Sequence, residues 1–369
     1  MGARDRPGGG REHTRGGSIV TGAVVAIRPR TLGDLVLLTP ALRALHRGHP
    51  GRPLEVVTEA RYASLFEGLP HVTRVWPMER SIAATIRLIG ALRRQEIEWA
   101  VDFFGNPRTA LVTSACGARH TAGYALRGRE RAYAVRVPRE LRWAEPGEVR
   151  REYAGATHLR LALAAGGAAD GLETRVSVSA PAALRAAALL GTAGISTAQR
   201  AIGMVPTGTW ATKTWPLGSA AQLARRLLGA DREVLLLAGP GEAEWCGRLA
   251  ALAPGVRTLP PCGVPELTAV ISELGAVVGT DSGPIHLAAS LGLPTYSWFG
   301  PTHPDTWSPP GARHGYWRTA LPCRGCDRVV CAHWNCLPML TADEAAERIS
   351  EHLERHARVS SNLHTAAGA

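Results

Sequence analysis

Short apolar segments alternate with helix-patterned segments along most of this chain, and that rhythm restricts its fold more than any other feature. In the first half, apolar strands are predicted at residues 23–27, 54–58 and 99–104, and amphipathic helices at 35–45 and 81–94. Strands that alternate with helices in this way build parallel βαβ units. The sequence therefore predicts an α/β fold.

The same rhythm returns in the second half, after an Ala/Gly-rich region at about residues 164–200. Strands are predicted at 201–205, 233–238, 276–279 and 295–299, and helices at 219–228, 242–252, 265–274, 284–290 and 341–357. A length of 369 residues suits two domains, since a domain averages about 150 residues. We predict a disordered basic tail at 1–20, an N-terminal domain at 21–185 and a C-terminal domain at 186–369.

Composition excludes some classes of protein and favours others. No run approaches the roughly 18 apolar residues of a membrane helix. Residues 1–17 contain six glycines and four arginines without the apolar core of an export signal. A cytoplasmic location is therefore expected. The net charge of +11 and the pI near 10.0 favour an anionic partner, which could be nucleic acid, an anionic membrane face or a phosphorylated small molecule.

Arginine supplies nearly all of the positive charge. Lys213 is the single lysine among 42 basic residues, which indicates that this position requires a compact ammonium group. Residues 119–160 hold ten arginines and five acidic residues. Such a run is usually a solvated face, and it would also suit an anionic acceptor or an anionic membrane surface.

Two motifs follow predicted strands and open predicted helices. Leu32-Gly33-Asp34 places Asp34 at the carboxyl edge of the sheet, where open α/β folds bind ligands. The alternative is that Asp34 only caps the helix. The segment 279–286 reads Gly-Thr-Asp-Ser-Gly-Pro-Ile-His. The backbone N–H groups of Ser282 and Gly283 can bind an anion there, with His286 at the same mouth; the alternative is a capped helix with a buried histidine.

A third loop, Pro206-Thr207-Gly208-Thr209, is followed by Lys213-Thr214-Trp215-Pro216. Hydroxyl groups, a glycine and an ammonium group in one loop suit a diphosphate. The sequence contains no P-loop motif and no nucleophile elbow. Glu244 stands where a dinucleotide-binding fingerprint would need its last glycine, which disfavours a nicotinamide enzyme.

Taken in order, these motifs and Phe299-Gly300-Pro301-Thr302 resemble glycosyltransferase family 9, the heptosyltransferases. The resemblance covers most of residues 22–350 and is most specific over 277–304, although Ser282 replaces a more usual threonine. It implies a GT-B fold, in which two Rossmann-like domains face a central cleft. The N-terminal domain would bind the acceptor and the C-terminal domain the nucleotide-sugar. The resemblance also implies an inverting transfer that needs no metal or other cofactor.

The resemblance further assigns roles to individual residues. Asp34 would be the general base, Thr209 and Lys213 would contact phosphate, and Glu242 would bind the nucleotide ribose. With the loops described above, the predicted catalytic residues are Asp34 and Lys213, and the predicted nucleotide-sugar site is Thr207, Thr209, Lys213, Glu242, Asp281, Ser282, Gly283 and His286.

The expected reaction moves a heptose or a related sugar from ADP-heptose to a hydroxyl of an anionic glycan or glycolipid. The lipopolysaccharide inner core is the leading acceptor, and a secondary metabolite or another glycan is the alternative. The enzyme would work in the cytoplasm, with peripheral contact to the inner membrane face as a further expectation. One alternative is a nucleotide-sugar 2-epimerase of the same fold. Another is a non-catalytic protein that binds nucleotide-sugars or nucleic acid. We do not expect a nucleic-acid partner, because no known reader motif is present and aromatic residues make up only 5%.

Four of the seven cysteines cluster within residues 323–336: Cys323, Cys326, Cys331 and Cys336. Four thiolates can close a tetrahedral zinc site, and His333 could replace one of them. The alternative is a set of reduced, unligated thiols. A structural zinc site in the C-terminal domain is therefore one prediction, separate from the chemistry.

Overall fold

A computed structural model describes residues 22–356, except 147, 230, 231 and 240. The predicted tail at 1–20 lies outside the described residues. None of the helices in the described part of the chain is both long and apolar enough to cross a bilayer.

Within these residues, the N-terminal half is built on a six-stranded parallel sheet. Its strands are β1 (Ala23–Ile27), β2 (Leu54–Thr58), β3 (Arg74–Pro77), β4 (Ile97–Asp102), β5 (His120–Tyr124) and β6 (Val135–Val137). Their order across the sheet is β3-β2-β1-β4-β5-β6. The helices are α1 (Leu32–Leu37), α2 (Thr39–Gly48), α3 (Ile82–Leu92), α4 (Pro107–Ala115) and α5 (Ala154–Ala164). A hairpin of β7 (Arg142–Glu145) and β8 (Glu148–Arg151) precedes α5.

The described part of the C-terminal half repeats this plan. Its strands are β9 (Ala201–Val205), β10 (Glu233–Leu236), β11 (Arg257–Thr258), β12 (Ala276–Thr280), β13 (Thr295–Phe299) and β14 (His314–Arg318). They are parallel and lie in the order β11-β10-β9-β12-β13-β14. The helices are α6 (Ala180–Ala193), α7 (Leu217–Leu227), α8 (Ala243–Leu252), α9 (Val264–Glu273), α10 (Gly283–Ser290), α11 (Pro304–Trp307) and α12 (Ala342–His356).

The α/β architecture predicted from the alternating pattern is confirmed. Strand β1 shows why the alternating pattern predicts the fold, since all five of its residues are apolar and buried. Val24 and Ala26 pack with α1 and α2 on one face, and Val25 and Ile27 pack beneath α3 and α4 on the other. A strand covered on both faces is apolar along nearly its whole length.

The single helix predicted over residues 35–45 is wrong, because the chain forms α1 and α2 with a break at Leu38. Pro40 has no N–H group to donate to the carbonyl of Val36. The hydroxyl of Thr39 instead donates a hydrogen bond to that carbonyl at 2.8 Å. The break therefore follows from proline, and a neighbouring threonine satisfies the acceptor that proline leaves.

Helix α6 connects the two halves. It packs against α9 of the second sheet, and the predicted domain boundary at residues 185–186 falls within it. The boundary itself stays a prediction.

Candidate active site

The two helices that the sequence motifs open meet at their N-termini. A Cβ atom on Gly33 of α1 would lie 2.8 Å from Cδ2 of His286, and a Cβ atom on Gly283 of α10 would lie 2.9 Å from Cβ of Leu32. Neither glycine leaves room for a side chain, so both are needed for this close approach. The contact brings the carboxyl edges of the two sheets, and with them Asp34 and the 279–286 motif, to one cleft.

Asp34 is held by two side chains at the start of α1. The guanidinium Nη2 of Arg28 lies 2.5 Å from Oδ1 of Asp34, and the hydroxyl of Thr31 donates to Oδ2 at 2.5 Å. The N-cap of α1 is Thr31, and no side chain caps this helix. Asp34 therefore does not act as a helix cap here; its carboxylate is oriented from both sides while 22% of the side chain stays exposed.

Arg28, directly after β1, contacts Asp34 but is not among the site residues predicted from the sequence. Its side chain is buried, donates to the carbonyl of Phe103 at the end of β4, and lies with its Cζ 5.5 Å from the centre of the Phe104 ring. An arginine immediately after a buried apolar strand was the available signal. The strand ends therefore fix the guanidinium, and the guanidinium fixes Asp34.

We expect Arg28→Met to lower kcat by at least about 10-fold, because a carboxylate freed to rotate spends less time in reactive geometry. Arg28→Lys, which keeps a positive charge, should retain more activity. Steady-state kinetics beside thermal unfolding separates a loss of positioning from a loss of folding. A fully folded Arg28→Met enzyme with wild-type kcat would show that Asp34 needs no such support.

Lys213, Asp281 and His286 form a second cluster at the ends of β9 and β12. Nζ of Lys213 donates to Oδ2 of Asp281 at 2.9 Å, and Nε2 of His286 lies 3.7 Å from Oδ1. Burial alone would raise the pKa of Asp281, but the Lys213 ammonium and then His286 outweigh burial and hold the pKa well below its usual range. Asp281 is therefore ionised and holds the ammonium of Lys213, which has three donors, at the mouth of the cleft.

Three buried polar atoms beside this cluster make no hydrogen bond to any described residue. They are Oγ1 of Thr207, Oγ of Ser282 and Nδ1 of His286. Buried polar atoms without a partner are uncommon in native proteins. The N–H groups at the start of α10 are beside them, and the N-terminus of a helix is a ready anion site. The arrangement can therefore bind an anionic group such as a diphosphate.

The remaining predicted residues lie on adjoining loops. Thr209 is exposed on the loop after β9. Glu242 precedes α8 in the loop that follows β10, the strand next to β9, and its carboxylate accepts from the N–H of Gly239 at 2.6 Å. The structure thus brings Thr207, Lys213, Asp281, Ser282 and His286 together, with Gly283 at the contact between the helices. Glu242 faces its own loop.

The cysteine segment does not assemble a ligand set. All four thiols are free, and two, Cys323 and Cys326, are exposed. Among the described residues, no three His, Cys, Asp or Glu side chains are grouped as metal ligands would be. The predicted zinc site on Cys323, Cys326, Cys331 and Cys336 stays a prediction.

Several arginines of the 119–160 run form ion pairs. From the β7–β8 hairpin, Nε of Arg150 lies 2.7 Å from Oδ2 of Asp305, and Nη1 of Arg151 lies 2.7 Å from Oδ2 of Asp327. Glu148 contacts Arg318 in the same region. This part of the run therefore ties the hairpin to the C-terminal half across the cleft.

Three relatives have comparable architecture or sequence. The chain is 28% identical over 327 residues to lipopolysaccharide heptosyltransferase 1 of Pseudomonas aeruginosa, covering 84% of this chain and 87% of that protein. The structure of ADP-heptose lps heptosyltransferase II of E. coli superposes on this chain with a TM-score of 0.73 at 21% identity. The superposition covers 90% of this chain and 99% of that one. The structure of the iron-containing dodecameric glycosyltransferase TibC of enterotoxigenic E. coli superposes with a TM-score of 0.55 at 14% identity. That superposition covers 91% of this chain and 77% of that one.

The model of glycosyltransferase family 9 (heptosyltransferase) matches residues 85–336. This range includes the Lys213 loop, the 279–286 motif and the cysteine segment. The match spans more than half of the 369 residues, and the two parallel α/β halves have the GT-B arrangement of the structural neighbours. The chain therefore belongs to glycosyltransferase family 9, the heptosyltransferases.

Proposed function

We propose that this enzyme transfers a heptose from ADP-heptose to a hydroxyl of an anionic glycan or glycolipid, with inversion at the anomeric carbon. The observation that carries the proposal is the cleft itself, where Asp34 on one sheet edge opposes the Lys213–Asp281–His286 cluster on the other. A relative acts on lipopolysaccharide, and a structural neighbour is named for ADP-heptose. The lipopolysaccharide inner core is therefore the leading acceptor, and the cytoplasm the proposed location.

In the proposed mechanism Asp34 takes the proton of the acceptor hydroxyl. The hydroxyl oxygen forms a bond to the anomeric carbon while the bond from that carbon to the diphosphate oxygen breaks. Arg28 and Thr31 keep the carboxylate of Asp34 in place during the transfer. A positioned general base contributes about 10²–10⁴-fold to such a step.

The departing ADP leaves with the bonding electron pair and gains negative charge. Lys213 and the N–H groups at the start of α10 would stabilise that charge. The hydroxyls of Thr207 and Ser282, which have no protein partner in the described residues, would complete the contacts with the diphosphate. Thr209 would add a further phosphate contact, and Glu242 would bind the ribose.

A donor screen tests the reaction class. The enzyme is incubated with ADP-, GDP- and UDP-sugars, with and without a lipopolysaccharide-core acceptor, and products are followed by mass spectrometry. We expect consumption of the ADP-linked heptose only when acceptor is present. Epimerised nucleotide-sugar in the absence of acceptor would identify a 2-epimerase instead. Inactivity combined with steeply salt-dependent DNA binding would favour a binding protein.

We expect activity to persist in excess EDTA. Lys213 and the start of α10 already supply positive charge to the diphosphate, and the sequence contains no Asp-x-Asp pair to hold a divalent ion. Transfer assayed within minutes of adding EDTA should equal that of the untreated enzyme. Immediate loss of activity that Mg²⁺ restores would overturn the metal-independent mechanism.

The cysteine segment is a separate question of stability. A structural metal held by these thiols would leave chemistry untouched, and its removal would lower the melting temperature over hours. Metal analysis of the purified protein decides between zinc, the iron named for TibC, and free thiols. About one zinc per chain would support the predicted site.

A further inference from the structure

The outer helical layer of the N-terminal sheet leaves large apolar side chains in solvent. Ile82 and Ile86 of α3 are 79% and 64% exposed, and Leu111 of α4 is 52% exposed. Helices α3 and α4 pack against each other. Arg108, in the first turn of α4, donates to the carbonyl of Glu79 just before α3 at 3.2 Å. The three apolar side chains therefore belong to one surface, which we call the α3–α4 surface.

This surface is strongly basic as well as apolar. Residues 79–94 and 107–119 together hold six arginines and one glutamate. The side chains of Arg80 and Arg87 are 69% and 68% exposed, and their carboxylate partners lie 3.6 and 3.7 Å away. Exposed ion pairs of this kind hold a side chain only weakly. The arginines are therefore free to turn towards an anionic partner.

The α3–α4 surface borders the edge that carries Asp34. Helix α3 follows β3 and α4 follows β4, so the first turn of each begins at the carboxyl edge of the sheet. Ile82 opens α3, Ile86 lies one turn later, and Leu111 is in the second turn of α4. The apolar side chains thus lie on the halves of the helices nearest the cleft.

We propose that the α3–α4 surface docks on an anionic phospholipid bilayer. Apolar side chains that enter the headgroup region, with arginines around them, are the two features that hold a protein on such a membrane. A second copy of the chain is a poor occupant, because a two-fold contact would oppose the same arginines. This proposal rests on the proposed function, since docking here would bring the sheet edge that carries Asp34 close to a lipid-linked acceptor.

The test is flotation of the full chain with vesicles of phosphatidylethanolamine and phosphatidylglycerol, at roughly three to one, against vesicles of phosphatidylcholine. We expect at least about 10-fold more binding to the anionic vesicles, falling as salt rises. The double variant Ile82→Glu/Ile86→Glu should bind the anionic vesicles at least about 10-fold less well. Ile82→Ser/Ile86→Ser should also bind less well, which separates lost apolar contact from added negative charge.

Leu184→Glu is the control for a negative charge placed on an exposed apolar position outside the α3–α4 surface. Leu184 is 78% exposed on α6, so the substitution adds one charge to an equally exposed apolar position away from the surface. It should float like the wild type. All of these proteins share residues 1–20, so the basic tail cannot account for a difference between them. Thermal unfolding should be unchanged in every variant, because the substituted side chains are exposed.

Three outcomes would overturn the proposal. These are equal flotation of the double variants and the wild type, equal binding to both kinds of vesicle, and a dimer in light scattering that the double variants abolish. The vesicles contain no donor or acceptor, so this result is independent of the reaction. Transfer to a delipidated acceptor should be the same in the double variants and the wild type. Failure of transfer in the wild type would instead count against the proposed function.

Discussion

We expect Asp34→Asn to lower kcat by at least about 100-fold, the smaller end of the range for a lost general base, while ADP affinity stays within a few-fold of wild type. Asparagine keeps the size of the side chain and can still accept from Thr31, but it cannot take a proton. In the proposed site, ADP is bound by the other half of the cleft, at Lys213 and α10, so we expect its affinity not to depend on Asp34. Steady-state kinetics and calorimetry with ADP measure the two effects.

Asp170→Asn provides the control for losing an ion-paired aspartate. Asp170 pairs with Arg43 at 3.2 Å and is 29% exposed, close to the 22% of Asp34, but it lies away from the carboxyl edge. Its replacement should leave kcat unchanged. If Asp34→Asn turns over within a few-fold of wild type while remaining folded, Asp34 is a structural partner of Arg28 and another group is the base.

We expect Lys213→Ala to weaken ADP binding by about 10-fold or more and to slow transfer, since the proposed ammonium–phosphate contact would be lost from ground and transition states alike. Among the described residues, the same change leaves the buried carboxylate of Asp281 with His286 as its remaining ion-pair neighbour. Breaking a buried ion pair by removing one partner typically costs about 3–5 kcal/mol. The melting temperature should therefore fall together with the affinity.

A second substitution separates these two effects. Lys213→Ala/Asp281→Ala removes the stranded carboxylate, so stability should recover in part while ADP affinity stays low. Lys213→Arg should stay closer to wild type in stability than Lys213→Ala, because it retains the charge that Asp281 needs. Calorimetry and thermal unfolding give both quantities. Unchanged ADP affinity in Lys213→Ala would exclude a ground-state phosphate contact by this side chain.

Much of the fold could be predicted because its determinants are local. The strands at 23–27, 54–58, 201–205 and 295–299 lie as predicted. Each is a short, mostly apolar segment whose five residues are all buried. The alternation of such segments with helices identifies them in the sequence. One helix prediction failed, at the Leu38 break, because apolar spacing continues through Pro40 while helical hydrogen bonding does not. Strands such as β3, β5, β6 and β14 were not predicted.

The site could be predicted in part for a similar reason. Asp34 and the 279–286 motif each lie where a strand ends, a glycine follows and a helix begins. In a parallel sheet, the loops that follow the strands all lie at the carboxyl edge. Ser282 and Gly283 open α10 as expected, with Pro284 in its first turn. The residue types that follow each predicted strand were therefore enough to predict which loops line the cleft.

The partners of these residues depended on the tertiary structure. Lys213 and Asp281 are 68 positions apart, and Arg28 reaches a carbonyl 75 positions away. Arg150 and Arg151, which composition alone describes as part of a basic run, pair with Asp305 and Asp327 on the other half of the molecule. Local spacing determines which edge a side chain reaches, because strands and helices have fixed periods. Which partner it meets there depends on how distant strands pair within one sheet, as for Lys213 and Asp281, and on how the two halves pack, as for Arg150 and Asp305. No local pattern in the sequence encodes either arrangement.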